Sequence, residues 1–280
     1  MATIAAIVTG AAGRMGSRLI ARLHEAGDFR LVGALERPGH PELGRDAAAR
    51  LGLPPAGVAL AASLPEATWR AADVVLDFSS PEGTLAVLAA AAGGPRAFVI
   101  GTTGFTPAQR EEVRRHAAAV PVVLAPNMSV GVTLLLSVVE DLARRLADYD
   151  VEIVEAHHRH KKDAPSGTAL ALGQAAARGR GVAFETAAVF GRHGITGERP
   201  AGAIGLAAVR GGDLIGEHAV YFLGPGERIE LIHRAHSRDT FAAGALRAAR
   251  WATAPGRRPG LYDMRHVLGL ATPPDAEGRP

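Results

Sequence analysis

Cysteine is absent from this 280-residue chain, which excludes disulfides, thiolate nucleophiles and cysteine-ligated iron–sulfur clusters. Lysine is nearly absent: Lys161 and Lys162 stand side by side, and the other 29 of the 31 basic residues are arginine. Aromatic residues are sparse, with two Trp and three Tyr, and no basic patch is interleaved with them. The formal charge is only +3, so nucleic acid is not an expected partner. No apolar run reaches the length of a membrane span, and MATIAAIVTG runs into a strand without a charged leader or cleavage site. The expectation is a cytoplasmic enzyme with no membrane partner, long enough for two domains or one large one.

What is present concentrates in EAHHRHKKDAPSGTALALG, Glu155 to Gly173. His157, His158 and His160 share six consecutive residues with Arg159, Lys161 and Lys162. A chain that uses arginine elsewhere and lysine here needs an amine here, because an ammonium can give up a proton and a guanidinium cannot. Asp163-Ala164-Pro165 forms a turn, and a helix opens at Ser166-Gly167-Thr168 with Ser166 or Thr168 as its cap. Gly167 lets a ligand approach the backbone, so helix N–H groups, a lysine and a histidine together suit a carboxylate. A solvated basic loop is the plainer alternative. A zinc site is the other, but the histidine spacing is too tight, cysteine is missing and two lysines would repel the ion, so no metal is expected.

Along the chain, strands and helices alternate. Thr3–Val8 reads as a buried parallel strand, followed by GAAGRMG at Gly10–Gly16 and an amphipathic helix to about Ala26. Gly10 suits a tight turn, Gly13 close approach to a pyrophosphate and Gly16 helix-on-strand packing. The spacing is GxxGxxG, which is weak on its own; no Lys-Ser/Thr follows, which removes the Walker alternative. A second strand, Leu31–Leu35, ends at Glu36-Arg37, where an acid can accept from the adenosine ribose and an arginine can take a 2′-phosphate. The pair predicts use of both NADH and NADPH, against the plainer option of two exposed loop residues. Further strands at Val58–Ala61, Asp73–Asp77, Ala97–Ile100 and Val120–Leu124 end in DFSSPEGT, GTTGF and APNMSVG. Each of these loops could be only a helix cap; at the carboxyl ends of a doubly wound sheet they would line the nicotinamide half of a cofactor site.

After Gly131 the pattern changes. A helix is expected over Thr133–Leu146 and a strand over Val151–Ala156; from about Phe184 the chain reads as β, with strands at Ile204–Arg210, Glu217–Phe222 and Arg228–His236. Gly211–Asp213 and Gly224–Glu227 read as hairpin turns, and a helix over Asp239–Trp251 and the segment Leu261–Leu268 return to the first domain. The fold class is therefore α/β: a Rossmann-like doubly wound parallel sheet domain (1–128 and 239–272) plus a smaller α+β domain with a mixed or antiparallel sheet (129–238), ending in a frayed tail, 273–280.

In order, GAAGRMG, DFSSPEGT, GTTGF, EAHHRHKKDAPSGTA and TGERPAGAIGLAAVRGGDLIGEH resemble the 4-hydroxy-tetrahydrodipicolinate reductase (dihydrodipicolinate reductase) family over nearly the whole chain. The resemblance implies an NAD(P)H-dependent reduction of a small dicarboxylate in lysine biosynthesis by the diaminopimelate route, in a homotetramer. It implies that Gly10, Ala11, Ala12, Gly13, Arg14 and Met15 wrap the pyrophosphate, with Glu36 on the ribose and Arg37 on the 2′-phosphate. Gly101, Thr102, Thr103, Ala125, Pro126, Asn127 and Met128 would flank the nicotinamide. His157 would donate and accept a proton, Lys161 would donate one, and His158, Ser166, Gly167 and Thr168 would bind substrate. Pro126 and Met128 depart from the residues usual in this loop. Two rival readings are a dinucleotide sensor without turnover and a reductase of an aldehyde or keto acid; the missing cysteine removes the thiol-dependent type of the latter.

Overall fold

A computed structural model describes residues 3–91 and 93–271; the tail expected at 273–280 lies outside them. The chain forms two compact units, one running to Val130 and resuming at Asp239, the other spanning Gly131–Arg238.

The first unit begins with β1 (Ile4–Thr9), α1 (Arg14–Glu25), β2 (Phe29–Leu35), β3 (Leu60–Ala61) and α2 (Glu66–Ala71). It continues through β4 (Val74–Asp77), α3 (Pro81–Ala90), β5 (Ala97–Ile100), α4 (Pro107–Ala117) and β6 (Pro121–Leu124). β1 and β4 carry buried side chains on both faces, as central strands of a covered parallel sheet must. In α1, Leu19, Ile20 and Leu23 are buried while Arg18 is exposed, which sets the face that packs on the sheet. Ser80 caps α3 with Pro81 in its first turn, and Thr106 with Gln109 forms a capping box on α4.

The second unit follows with α5 (Val130–Arg145), β7 (Asp150–His157), α6 (Gly167–Arg180), α7 (Phe184–Ala187), β8 (Ala188–Phe190), β9 (Ile204–Arg210), β10 (Glu217–Gly224) and β11 (Glu227–Arg234). The chain then returns to the first unit with α8 (Asp239–Ala252), β12 (Gly260–Tyr262) and α9 (Met264–Val267). The seven-stranded sheet has the order β12-β6-β5-β4-β1-β2-β3 with every pair parallel. Strand order reverses between β1 and β4, and in doubly wound sheets that reversal leaves a crevice for a ligand at the carboxyl ends.

The five-stranded sheet, β11-β10-β7-β9-β8, is mixed: β10 runs antiparallel to β11 and β7, while β9 runs parallel to β7 and β8. Along β7, Val151, Ile153, Glu155 and His157 all face inward. Val151 and Ile153 pack with Leu172 and Ala176 of α6 and Phe222 of β10. Burying a side chain such as Leu172 stabilises by about 1.5–3 kcal/mol. The next rows of that face are polar, with Glu155 level with His218, and His218 level with His233.

Two expectations change here. Phe184–Ala187 forms a helical turn before β8, because its N–H and C=O groups close locally before any strand partner is met. Gly211–Asp213 is not a hairpin, since β7 lies between β9 and β10. The segment instead runs beside the chain after β7: Gly211 N–H donates to the His157 carbonyl, Arg159 N–H to that of Gly212, and His158 N–H to that of Leu214. Gly224–Glu227 is a true hairpin connection.

Candidate active site

In the first unit a cleft of about 460 Å³ lies at the strand-order reversal, lined by Gly10, Gly13, Glu36, Arg37, Phe78 and Ser80 among others. Gly10 sits at φ +62°, in the left-handed region, and a Cβ there would strike the Phe78 carbonyl. A Cβ on Gly16 would collide with the Gly10 carbonyl oxygen and the Ala11 backbone, so this glycine lets α1 pack against the turn. Gly13 is the N-cap of α1, with no side chain accepting from the first turn and no acid within it. Together these features leave an unneutralised helix N-terminus at the cleft, which suits a pyrophosphate.

Glu36 accepts from Ala12 N–H (2.9 Å) and Arg37 N–H (2.9 Å), tying the end of β2 to the glycine turn. Arg14 and Arg37 are exposed, and Met15 is half-buried. Arg50 contributes an anchor that the sequence does not advertise. It donates to the Ala11 carbonyl (2.6 Å) and the Ser17 hydroxyl (2.7 Å) and pairs with Glu42 (3.1 Å). Of the other expected cofactor residues, Thr103 and Pro126 are exposed and Gly101 and Asn127 half-buried. The Asn127 side chain accepts from Ser129 N–H (2.8 Å). The side chains of Ala11, Ala125 and Met128 are buried, and Met128 packs in the unit's core. Thr102 is also buried, its hydroxyl donating to Asp77 (2.8 Å).

In the second unit the basic run follows β7. Glu155 is 0% exposed and accepts from His157 Nδ1 (2.6 Å), Ser166 N–H (2.9 Å) and both terminal nitrogens of Arg210 (2.7 Å each). Burial pushes this carboxyl up, but Arg210, His157 and the Ser166 N–H outweigh it and hold it below its ordinary value. Ser166, not Thr168, is the N-cap of α6: its hydroxyl accepts from Ala169 N–H (3.2 Å) and meets His218 Nε2 at 3.0 Å. His218 is 4% exposed, and burial pushes its imidazole down to about 4, with the neighbouring His157 acting in the same direction. The Lys161 ammonium, 19% exposed, pairs with both oxygens of Asp163 at 2.9 Å. Desolvation first, then Arg238, His160, His157 and Lys161, lowers the His158 imidazole below its usual range.

Thus His157, Ser166, Gly167 and Thr168 meet at the start of α6, with His158 and Lys161 on the adjoining turn. Sequence reading passed over Glu155 as a working group, and it missed Arg210 and His218. Glu155 does carry a local signal, two residues before His157 on an alternating strand. Arg210 and His218 come from β9 and β10, and nothing local marks them. Among the described residues, no group of three or more His, Asp or Glu side chains is arranged to hold a metal ion.

The family models for dihydrodipicolinate reductase match on both sides, its N-terminus over residues 4–128 and its C-terminus over 131–268. The chain is 50% identical over 264 residues to the 4-hydroxy-tetrahydrodipicolinate reductase of Citrifermentans bemidjiense, covering 94% of this chain and 98% of that protein. It is 52% identical over 264 residues to the Burkholderia ambifaria enzyme of that name, with the same coverage of 94% and 98%. A solved structure of dipicolinate-bound dihydrodipicolinate reductase from Paenisporosarcina sp. TG-14 has the same fold, with TM-score 0.73 and 24% identity over 93% of this chain and 97% of that one.

Proposed function

This chain belongs to the dihydrodipicolinate reductase family, and from that premise we infer how its two sites divide the work. It reduces (2S,4S)-4-hydroxy-2,3,4,5-tetrahydrodipicolinate to (S)-2,3,4,5-tetrahydrodipicolinate and water with NAD(P)H, a step of lysine biosynthesis by the diaminopimelate route. NAD(P)H, when bound, supplies the hydride. The glycine turn and the N–H groups opening α1 hold its pyrophosphate, Glu36 the adenosine ribose and Arg37 a 2′-phosphate. Glu36 and Arg37 together admit both NADH and NADPH.

The observation that carries the reading is the turn after β7, where the only two lysines adjoin a buried acid–imidazole pair and the start of α6. His158, the hydroxyl-capped start of α6 at Gly167 and Thr168, and the cationic turn hold the substrate carboxylates. A hydrogen bond to a charged group contributes about 1.5–3 kcal/mol. Once the substrate has lost water to give a conjugated imine, reduction at C4 drives electron density towards the ring nitrogen. N–H donors aimed there stabilise that state more than the ground state, and Lys161 and His157 are those donors. The protein acts as a cytoplasmic homotetramer.

The test follows loss of reduced-nicotinamide absorbance with substrate made in situ by dihydrodipicolinate synthase from pyruvate and aspartate semialdehyde, with NADH and NADPH in separate runs. Turnover with both is expected. NADPH binding without turnover, beside an active authentic reductase, would overturn it in favour of a sensor. Lys161→Ala should lower kcat by about 10²–10⁴-fold, and Lys161→Arg should not restore it. Full activity in the arginine variant would leave Lys161 only a charge.

A further inference from the structure

We infer that Glu155 is the positioning residue of the reaction: it fixes the tautomer of His157 so that Nε2 is the proton-transferring nitrogen, and it ties that ring to the substrate-binding end of α6. The inference rests on the reading of His157 as a proton-transfer group.

β7 alternates, so residues 155 and 157 project from the same face. The Glu155 carboxylate has two oxygens and about four acceptor sites. Three of its four contacts come from groups that can only donate, Arg210 twice and the Ser166 N–H, which mark it as an ionised acceptor; the fourth is His157 Nδ1 at 2.6 Å. Were Nδ1 unprotonated, two lone pairs would face one another at that distance in a buried site. Nδ1 therefore carries the hydrogen, and Nε2 is left to exchange a proton. The surroundings of Nε2 agree. A Cβ on Gly216 would lie 2.9 Å from it, so a side chain at that position would crowd this nitrogen and glycine does not.

The same carboxylate sets the position of α6. Its Oε1 takes the N–H of Ser166, whose hydroxyl caps the helix and meets His218. Arg210 braces the group from β9 and also donates to the Asp163 carbonyl (2.7 Å), in the turn that carries Lys161. One acid thus sets the orientation of the imidazole and the placement of the helix start together. The charged and titratable groups around His157 are Glu155 on its own strand, Arg210 from β9, His218 from β10, and His158 and Lys161 beyond the strand end. Glu155 is the carboxylate in direct contact with the His157 ring, whereas the Asp163 carboxylate is taken up by Lys161.

A carboxylate that served only as an ion-pair partner for Arg210 would affect folding and nothing else. Three measurements separate the two roles. In ¹⁵N-histidine-labelled protein, the neutral His157 ring should show Nδ1 as the protonated nitrogen and Nε2 as the unprotonated one. The opposite pattern overturns the inference whatever any variant does. Glu155→Gln should lower kcat about 10²-fold, the scale expected when the outer partner of a working imidazole is lost. It should also change the shape of the kcat–pH profile, with NADPH binding unchanged. A variant that binds NADPH and keeps the wild-type rate and profile overturns the inference. So does one that loses activity only in step with folded protein, its remaining profile unchanged. His157→Gln identifies the other failure: full turnover there removes His157 from proton transfer and the role of Glu155 with it.

Discussion

Asp77 closes β4 with a carboxylate that is fully buried, with no cation at ion-pair distance among the described residues. Hydroxyls surround it instead, from Thr9 on β1, Ser79 (2.6 Å), Thr84 on α3 and Thr102 (2.8 Å). Three strand ends that border the cleft are joined through this one side chain, although Asp77 reads in the chain only as the last residue of a strand. His218 is similarly silent in the sequence, and its burial gives it a measurable consequence. Its folded imidazole titrates at about 4 against an ordinary 6.5, so the unfolded chain binds the proton first. Stability from this group is complete above pH 6.5 and is lost as pH falls towards 4, up to roughly 3 kcal/mol in all. Urea denaturation at pH 7 and pH 5 should show that loss in the wild type, and His218→Asn should flatten it; equal slopes in both proteins would contradict the assignment. The basic run itself was legible because its residues are contiguous. The partners that orient it, Arg210 and His218, lie 55 and 52 positions from Glu155 and Ser166 and reach them only through sheet pairing.

At the scale of elements, α1 and α6 both present their N-termini to a site, by different means. α6 is capped by Ser166, whereas α1 begins at Gly13 with no side-chain cap. Capping by a side chain satisfies one or two of the orphan N–H groups, so a ligand at an uncapped start meets more of them. The approach of α1 to the turn depends on Gly16. Gly16→Ala would drive its Cβ against the Gly10 carbonyl, and the turn or the helix must shift. Affinity for NADPH should fall at least ~10-fold, since a displacement of about 1 Å in a positioned site costs on the order of 10²-fold. Fluorescence titration would measure it, and an unchanged dissociation constant would show that the turn absorbs the methyl group. Element boundaries were largely legible from apolar runs and capping residues: Ala97–Ile100 and Ile204–Arg210 appear as read. The Gly211–Asp213 turn was misread because glycine between two β runs is a local hairpin signal, while strand order is not local at all.

At the scale of the molecule, α6 covers one face of the mixed sheet, while the other carries Arg192 and Arg199 on Glu152 and, beside them, an exposed apolar row. Ile232, Ala219, Val154 and Ala207 form one row across β11, β10, β7 and β9 on the face away from α6. Val209 and Ile232 are 50% and 43% exposed. An exposed apolar row of this kind, flanked by charged rows, is consistent with the homotetramer proposed above, since exposed apolar surface marks contact regions. Ile232→Glu should therefore shift the mass measured by light scattering towards dimer or monomer, and an unchanged tetramer would move the interface elsewhere. Among the described residues no helix is long and apolar enough to cross a membrane. What the chain determined unaided was whatever is written in neighbouring residues: strand–glycine turn–helix alternation, a helix start at Ser166-Gly167-Thr168 with two candidate caps, the acid and arginine that follow β2, and an amine-bearing turn. Tertiary structure decided what depends on residues far apart: β7 between β9 and β10, Met128 turned into a core, four hydroxyls on Asp77, and Arg210 and the Ser166 N–H on Glu155. Local pattern constrains φ, ψ and face. Which buried carboxylate finds which donor is settled only when distant strands are in register, because an unpaired buried charge is too costly to leave.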